Sequence, residues 1–328
     1  MQEILLARRV DGQITAADFE ARETAGPSES HDGLVGTRTT HISLDPYLAL
    51  RMRKGIPDAG NGPPYPIVGR TIGEVMEPGA SDFRRGDHVL GFGRWASEDW
   101  RLAADLRKVD LDAAPPEAHL GIAGHSGFTA WLGVRLAGLR SGECFVVSGA
   151  AGAVGSVAGQ LAKRSGCRVV GIAGGREKAS WVVEALGFDA CIDHRRPDFA
   201  EALAASLPGG ADIHFENVGA AMLDPMLGLM KRRGRMMLCG LMQHYQNADP
   251  VALRNFRAIL ERSIRIEPFS IYDHEELAST ARNELIAEVG AGGLRFKCST
   301  THGLDHVPEA FVAMLEGRGI GKHIAVVG

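Results

Sequence analysis

The run Ser148-Gly149-Ala150-Ala151-Gly152-Ala153-Val154-Gly155 combines small residues in a spacing that suits phosphate chemistry. It follows the apolar residues 144–147, which read as a buried strand, and it opens a helix-spaced segment with a basic end, residues 153–164. A strand, a tight turn and a helix N-terminus together make a seat for a pyrophosphate, because the turn exposes backbone N–H groups and the helix dipole favours negative charge. Ala150, Gly152 and Val154 would face the diphosphate, and Gly155 would let the helix lie close to the sheet. Ala150 stands where the first glycine of a G-x-G-x-x-G fingerprint usually stands.

The next candidates concern cofactor choice. An acidic residue at the end of the second strand selects NAD by binding the adenosine ribose. Here strand 168–173 runs into Gly174-Gly175-Arg176-Glu177-Lys178, with no carboxylate at the strand end. The glycines leave room, and Arg176 and Lys178 put positive charge at a helix N-terminus, where it is unfavourable unless an anion is present. The pattern favours NADP; the alternative is two basic residues decorating an exposed helix start, with Glu177 satisfying the dipole. Asn217, after a fourth strand, would face the nicotinamide or its ribose, or else satisfy its own turn.

Other chemistries find little support. There is no cysteine before Cys144 and no C-x-x-C, and the twelve histidines are dispersed, so no catalytic zinc is expected. Gly124-His125-Ser126-Gly127 is not a nucleophile elbow, because Phe128 occupies the position that needs glycine. His125 remains a candidate for lining the active cleft.

These residues need a scaffold. From residue 142 onward, strand-like runs (145–148, 168–173, 190–193, 213–216, 235–239, 264–269) alternate with helical ones (155–165, 177–186, 199–206, 221–231, 250–261). That rhythm predicts a doubly wound parallel sheet with its ligand at the carboxyl ends of the strands. The first part, to about Pro116, is rich in Gly, Pro and Asp with short alternating runs, and reads as an antiparallel β domain. Residues 55–66 read as a mobile surface loop. The strand-like tail 322–327 is too short to stand alone and is expected to return to the first domain. A length of 328 residues agrees with two domains. With 36 basic against 40 acidic residues, no basic excess points to nucleic acid or an anionic membrane. No leader pattern or apolar stretch of spanning length is present, and the scattered cysteines read as buried thiols of a reducing compartment. A cytoplasmic location is the expectation.

Motifs along nearly the whole chain resemble the zinc-independent medium-chain dehydrogenase/reductases, in the branch of prostaglandin reductases and alkenal/one double-bond reductases. They are residues 6–12, Ser43-Leu44-Asp45-Pro46-Tyr47 with Arg51-Met52, Phe128-Thr129-Ala130-Trp131, residues 149–155 and Val170-Gly171-Ile172-Ala173-Gly174 with Glu177-Lys178. Glu216-Asn217-Val218-Gly219, Cys239-Gly240 with Tyr245, and Gly321-Lys322 complete the set. The resemblance implies an α/β protein: a GroES-like β catalytic domain at 1–118, completed by 295–328, and a Rossmann domain at 119–294 with NADPH in the cleft between them. It places Lys178 at the 2′-phosphate. It places Thr129, Asn217, Cys239 and Gly240 along the phosphates and nicotinamide, and Phe269 and Ile271 at a strand end meeting the carboxamide. The sequence also departs from the family. His194 followed by Arg195 replaces a tyrosine beside the 2′-phosphate, Gly319 replaces an asparagine that touches the cofactor, and Ala49-Leu50 replaces Arg-Gly after the Asp-Pro-Tyr motif. His125-Ser126 replaces apolar bulk, which points to a more polar substrate.

The implied reaction is NADPH-dependent reduction of the C=C bond of α,β-unsaturated ketones or aldehydes, with hydride delivered to the β-carbon. Tyr245 is the expected donor to the carbonyl oxygen. Tyr47 and Arg51 are further cleft candidates, Tyr47 being equally readable as a packed tyrosine. The rival readings are an NADPH quinone reductase and a cofactor-binding protein without turnover. A homodimer is expected from the resemblance and from run 264–269 at a sheet edge.

Overall fold

A computed structural model describes residues 1–25, 33–53, 62–79, 82–246 and 251–327. Its contacts divide the chain into two units. Unit 1 comprises Met1–Leu120, Tyr245–Asn247 and Cys298–Gly328; unit 2 comprises Gly121–His244 and Ala248–Lys297.

Unit 1 is mostly antiparallel. Strand Gln2–Leu6 pairs with Phe19–Glu23 on one side and with Tyr65–Pro66 on the other. Of the expected loop 55–66, residues 55–61 lie outside the described residues, and its end is that short strand. In a larger sheet the long strand Leu34–Leu44 lies between Val68–Glu77 and Lys322–Val326. The tail therefore returns to the first part of the chain, where Lys322–Val326 also pairs in parallel with Cys298–His302. The core gathers Phe19, Trp95 and Phe311, whose rings meet at 5.3–6.2 Å.

Unit 2 holds six parallel strands in the order Ala190–Asp193, Arg168–Ala173, Cys144–Ser148, Ala211–Glu216, Met230–Leu238, Arg265–Pro268. Strand Cys144–Ser148 is fully buried, as a strand covered on both faces requires. The connections reverse direction between Cys144–Ser148 and Ala211–Glu216, and such a reversal opens a crevice at the carboxyl ends of those two strands.

Two helices differ from the sequence expectation. The run 221–231 is helical only over Ala220–Leu229, because Arg262 donates to the carbonyls of Gly228 and Met230 and ends the helix there. Met230 then starts the next strand, opposite Ala211. The run 250–261 is helical only over Arg257–Glu261. Asn255 spends its backbone N–H on Asp224 Oδ1 and its amide on the Asp224 carbonyl, which diverts the preceding chain from a helix; Pro250 lies outside the described residues. The five cysteines are free. Burial pushes the Cys167 thiol up to about 11 and that of Cys191 to about 12. Among the described residues no helix is long and apolar enough to cross a membrane.

Candidate functional site

The turn after Cys144–Ser148 is closed by steric necessity. Gly149 adopts φ +60°, and the Gly152 N–H donates back to its carbonyl at 2.8 Å. A Cβ on Gly155 would stand 2.4 Å from the Gly149 oxygen, so only hydrogen fits where helix Gly155–Arg164 begins. The alanine at the first fingerprint position is accommodated from the neighbouring strand. The Ala150 methyl is fully buried, and a Cβ on Gly171 would come within 2.8 Å of it. Gly171 thus supplies the space that a first glycine would have left. Val154 caps the helix without a side-chain hydrogen bond, and the Ser156 N–H donates to the Gly152 carbonyl at 3.1 Å.

Across the crevice, buried side chains fix the turn after Ala211–Glu216. The Ser148 hydroxyl donates to Glu216 Oε1 at 2.9 Å and accepts the Asn217 N–H at 2.8 Å. Asn217 Nδ2 donates to the Ser148 carbonyl at 2.7 Å, so this amide braces the neighbouring strand rather than its own turn. Glu216 is fully buried; it also accepts the N–H groups of Val218 and Gly219, and His214 Nε2 lies 2.6 Å from its other oxygen. Its carbonyl receives the N–H groups of Cys239 and Gly240 at 3.0 and 3.1 Å. Burial, then the Glu216 carboxylate, pushes the Cys239 thiol far up, so it stays neutral. His214 was not among the sequence candidates, and Ser148 and Glu216 figured only as parts of motifs. Their signal was polarity inside strands that must be buried on both faces.

A second cluster stands at the ends of the two outer strands. The Asp193 carboxylate accepts the Gly175 N–H at 2.7 Å and the Arg195 N–H at 2.9 Å; these bonds hold it below the usual carboxylate range. A Cβ on Gly174 would meet His194 Nε2 at 2.8 Å and Arg195 Nε at 3.1 Å, so both side chains lie against the diglycine. Lys178 faces them from helix Arg176–Glu184. Burial, then Arg195, pushes its ammonium pKa down. Arg176 is exposed on the first turn of that helix. Lys178 and Arg195, with the His194 imidazole between them in sequence, surround two glycines and form a seat for a multiply charged anion.

The remaining candidates are placed as follows. Thr129 is buried in helix His125–Ala137 and donates to the His125 carbonyl at 2.7 Å. Phe269 packs edge-on against Phe215 at 6.1 Å, Gly133 leaves room for both rings, and Ile271 is buried two residues on. The His125 ring meets that of Tyr272 at 5.9 Å. Tyr47, Arg51, Tyr245 and Gly319 belong to unit 1. Tyr47 precedes the short helix Leu48–Arg51, and the Arg51 guanidinium lies 5.8 Å from its ring. Asp45 is buried and ion-paired with Lys322 Nζ at 2.7 Å, which anchors the turn that presents Tyr47. Tyr245 follows the 3-10 turn Met242–His244 and packs, like Tyr47, on the unit 1 core. Gly319 has φ +80°, and His323 fills the space beside it. Among the described residues, no group of three His, Cys, Asp or Glu could hold a metal ion.

Comparison with known proteins agrees with this geometry. Residues 2–109 match the family model described as "N-terminal domain of oxidoreductase", and residues 153–286 match "Zinc-binding dehydrogenase". The NADPH-dependent curcumin reductase of Escherichia coli (strain K12) is 37% identical over 331 residues, covering 97% of this chain and 94% of that protein. The chain belongs to the alkenal/one double-bond reductase branch of the medium-chain dehydrogenase/reductases. Within this branch, the 2-alkenal reductase (NADP(+)-dependent) of Nicotiana tabacum is 33% identical, covering 99% of this chain and 97% of that protein. The crystal structure of CurA in complex with NADPH from Vibrio vulnificus superposes with a TM-score of 0.92 at 32% identity, covering 100% of this chain and 99% of that one. The fold is that of the medium-chain reductases, a GroES-like β unit and a Rossmann unit.

Proposed function

We propose that the protein reduces the C=C bond of α,β-unsaturated ketones and aldehydes with NADPH. The carrying observation is the cluster of Lys178 and Arg195 with the His194 imidazole on Gly174-Gly175, at the strand end where an NAD enzyme would place a carboxylate. The names of the curcumin and 2-alkenal reductases support the choice of reaction. Bound NADPH would supply a hydride for the β-carbon, and a proton from solvent would complete the reduction at the α-carbon. In this reading Ala150, Gly152, Val154 and Gly155 line the diphosphate, the Ala150 and Gly152 N–H groups being held by the Ile172 and Gly149 carbonyls, and Gly174, Arg176, Lys178, His194 and Arg195 take the 2′-phosphate. Thr129, Asn217, Cys239, Gly240, Phe269, Ile271 and Gly319 line the rest of the cofactor. The catalytic domain spans 1–118 and 295–328, and the NADP-binding domain spans 119–294.

Charge develops on the carbonyl oxygen as the β-carbon is reduced. The Tyr245 hydroxyl donates a hydrogen bond to that oxygen, and the bond strengthens as charge grows, so it favours the transition state over the ground state. Tyr47 and Arg51 shape the approach of the substrate, with Lys322 and Asp45 holding their turn in place. The chemistry needs no zinc. The free cysteines suit a cytoplasmic protein. Strand Arg265–Pro268, at the edge of its sheet and close in sequence to exposed Phe256 and Leu260, supports a homodimer, which sedimentation will test.

The decisive assay is oxidation of NADPH against a panel of aromatic and aliphatic enones, with quinones alongside. Enones are expected to turn over best, and activity confined to quinones overturns the reading. Tyr245→Phe is expected to lower kcat about tenfold or more on the best enone while NADPH binding stays normal. Full kcat in that variant removes Tyr245 from the mechanism.

A further inference from the structure

We propose that His194 takes up a proton when the 2′-phosphate of NADP(H) binds, so that the preference for NADP(H) over NAD(H) is itself set by pH. This rests on the reading of Lys178, His194 and Arg195 as the 2′-phosphate site.

The geometry confines the imidazole to the anion seat. The His194 N–H donates to the Ala173 carbonyl at 2.9 Å, which fixes the backbone at the end of the strand. The ring then lies against Gly174, with Nε2 2.8 Å from where a Cβ would stand. The charged groups around it come from two elements. Arg195 and Asp193 flank it on its own strand end, and Lys178 faces it from helix Arg176–Glu184. The Asp193 carboxylate accepts the N–H groups of Gly175 and Arg195. The diglycine brings no charge.

Without an anion the cluster disfavours a third positive charge. Partial enclosure of the ring first, then Arg195, lowers the pKa of His194, with Lys178 adding to the fall and Asp193 opposing it. The ring is therefore neutral at pH 7. A phosphomonoester carries about −1.5 to −2 charges at that pH and reverses the local field. The imidazolium is then favoured, and its N–H makes a charge-assisted hydrogen bond to a phosphate oxygen. Phosphate binding raises proton affinity, and protons raise phosphate affinity by the same factor. NADP(H) affinity then falls as pH rises through the bound-state pKa of His194, whereas NAD(H), lacking the phosphate, is indifferent to that titration. Asp193, its pKa lowered by the Gly175 and Arg195 N–H groups, keeps its charge over this range.

Calorimetric titration of the intact protein at pH 7.5, in buffers of low and high ionisation enthalpy, tests the idea. The probes are adenosine 2′,5′-bisphosphate and adenosine 5′-monophosphate. The bisphosphate is expected to bind more tightly, with uptake of roughly 0.5–1 proton, and the monophosphate with none. In His194→Gln the bisphosphate should bind with almost no uptake. From pH 7 to 8.5 its affinity should fall about fivefold or more in the wild type and less than about twofold in the variant. The imidazole NMR signal absent from His194→Gln should move to its protonated position on adding the bisphosphate to the wild type. A wild type that prefers the bisphosphate yet takes up no proton, or a variant with undiminished uptake, overturns the inference alone. Equal affinity for the two probes overturns the 2′-phosphate reading and the inference with it.

Discussion

The turns after Glu216 and Ala173 end two strands of the same sheet, yet they are built from opposite materials. After Glu216, the side chains of Ser148, His214 and Glu216 are fully buried and bond mainly to one another and to backbone N–H groups. After Ala173, Lys178 is half-buried, His194 and Arg195 are exposed, and all three carry or can acquire the same sign of charge. The first turn has its final geometry before any ligand arrives. The second is electrostatically incomplete until an anion arrives. Substitutions in the first should therefore register as lost stability, and substitutions in the second as lost affinity.

The largest effect is expected at Glu216. Glu216→Ala removes the acceptor for the Ser148 hydroxyl and the N–H groups of Val218 and Gly219, and leaves His214 without its carboxylate. Breaking one partner out of such a buried set costs about 3–5 kcal/mol, readable by denaturant unfolding. A loss below about 1 kcal/mol would mean that the knot is not the rigid half of the comparison.

Lys178→Ala should do the reverse. Losing a charge-assisted contact of about 1.5–3 kcal/mol weakens NADPH roughly ten- to hundredfold, with NADH and unfolding stability nearly unchanged. Fluorescence titration with both cofactors checks it; parallel losses for NADPH and NADH would break the distinction.

The smallest effect concerns Asp193, which joins the exposed cluster to its backbone. Its carboxylate is held below the ordinary range by the Gly175 and Arg195 N–H groups. A depressed carboxylate contributes stability above its unfolded pKa, about 3.9, and loses it as pH falls through the lower folded value. The melting temperature of Asp193→Asn should therefore lie below that of the wild type at pH 7, and the gap should close below about pH 4. A gap that widens in acid would contradict the assigned cause.

The same contrast explains what the sequence disclosed. The phosphate turn was legible because glycines at fixed spacing reflect close backbone approaches, and Gly155 meets the Gly149 oxygen as the motif requires. The strand rhythm likewise foretold the parallel sheet. The compensation of Ala150 by Gly171 was not legible, since the two are twenty-one residues apart and meet only through strand pairing. Ser148 and His214 were read as ordinary strand residues, because their partnership depends on which strands become neighbours. The ends of the helices at Leu229 and before Arg257 were missed for a related reason: Arg262 and Asp224 decide them from a distance.

The pairing of Lys322–Val326 with Leu34–Leu44 has a consequence in time. On the ribosome, residues 1–120 emerge first, but on the edge of Leu34–Leu44 that Glu98–Leu102 pairs over Leu34–Arg38, the stretch His41–Leu44 has no partner until the chain has passed residue 322. All of unit 2 is made in between. At about 5–20 residues per second, that interval is roughly 10–40 s. During it the nascent first unit presents an open strand edge, the kind of surface on which chains associate wrongly. Synthesis speed after residue 120, and chaperone access to that edge, should then govern how much of the protein reaches the native state.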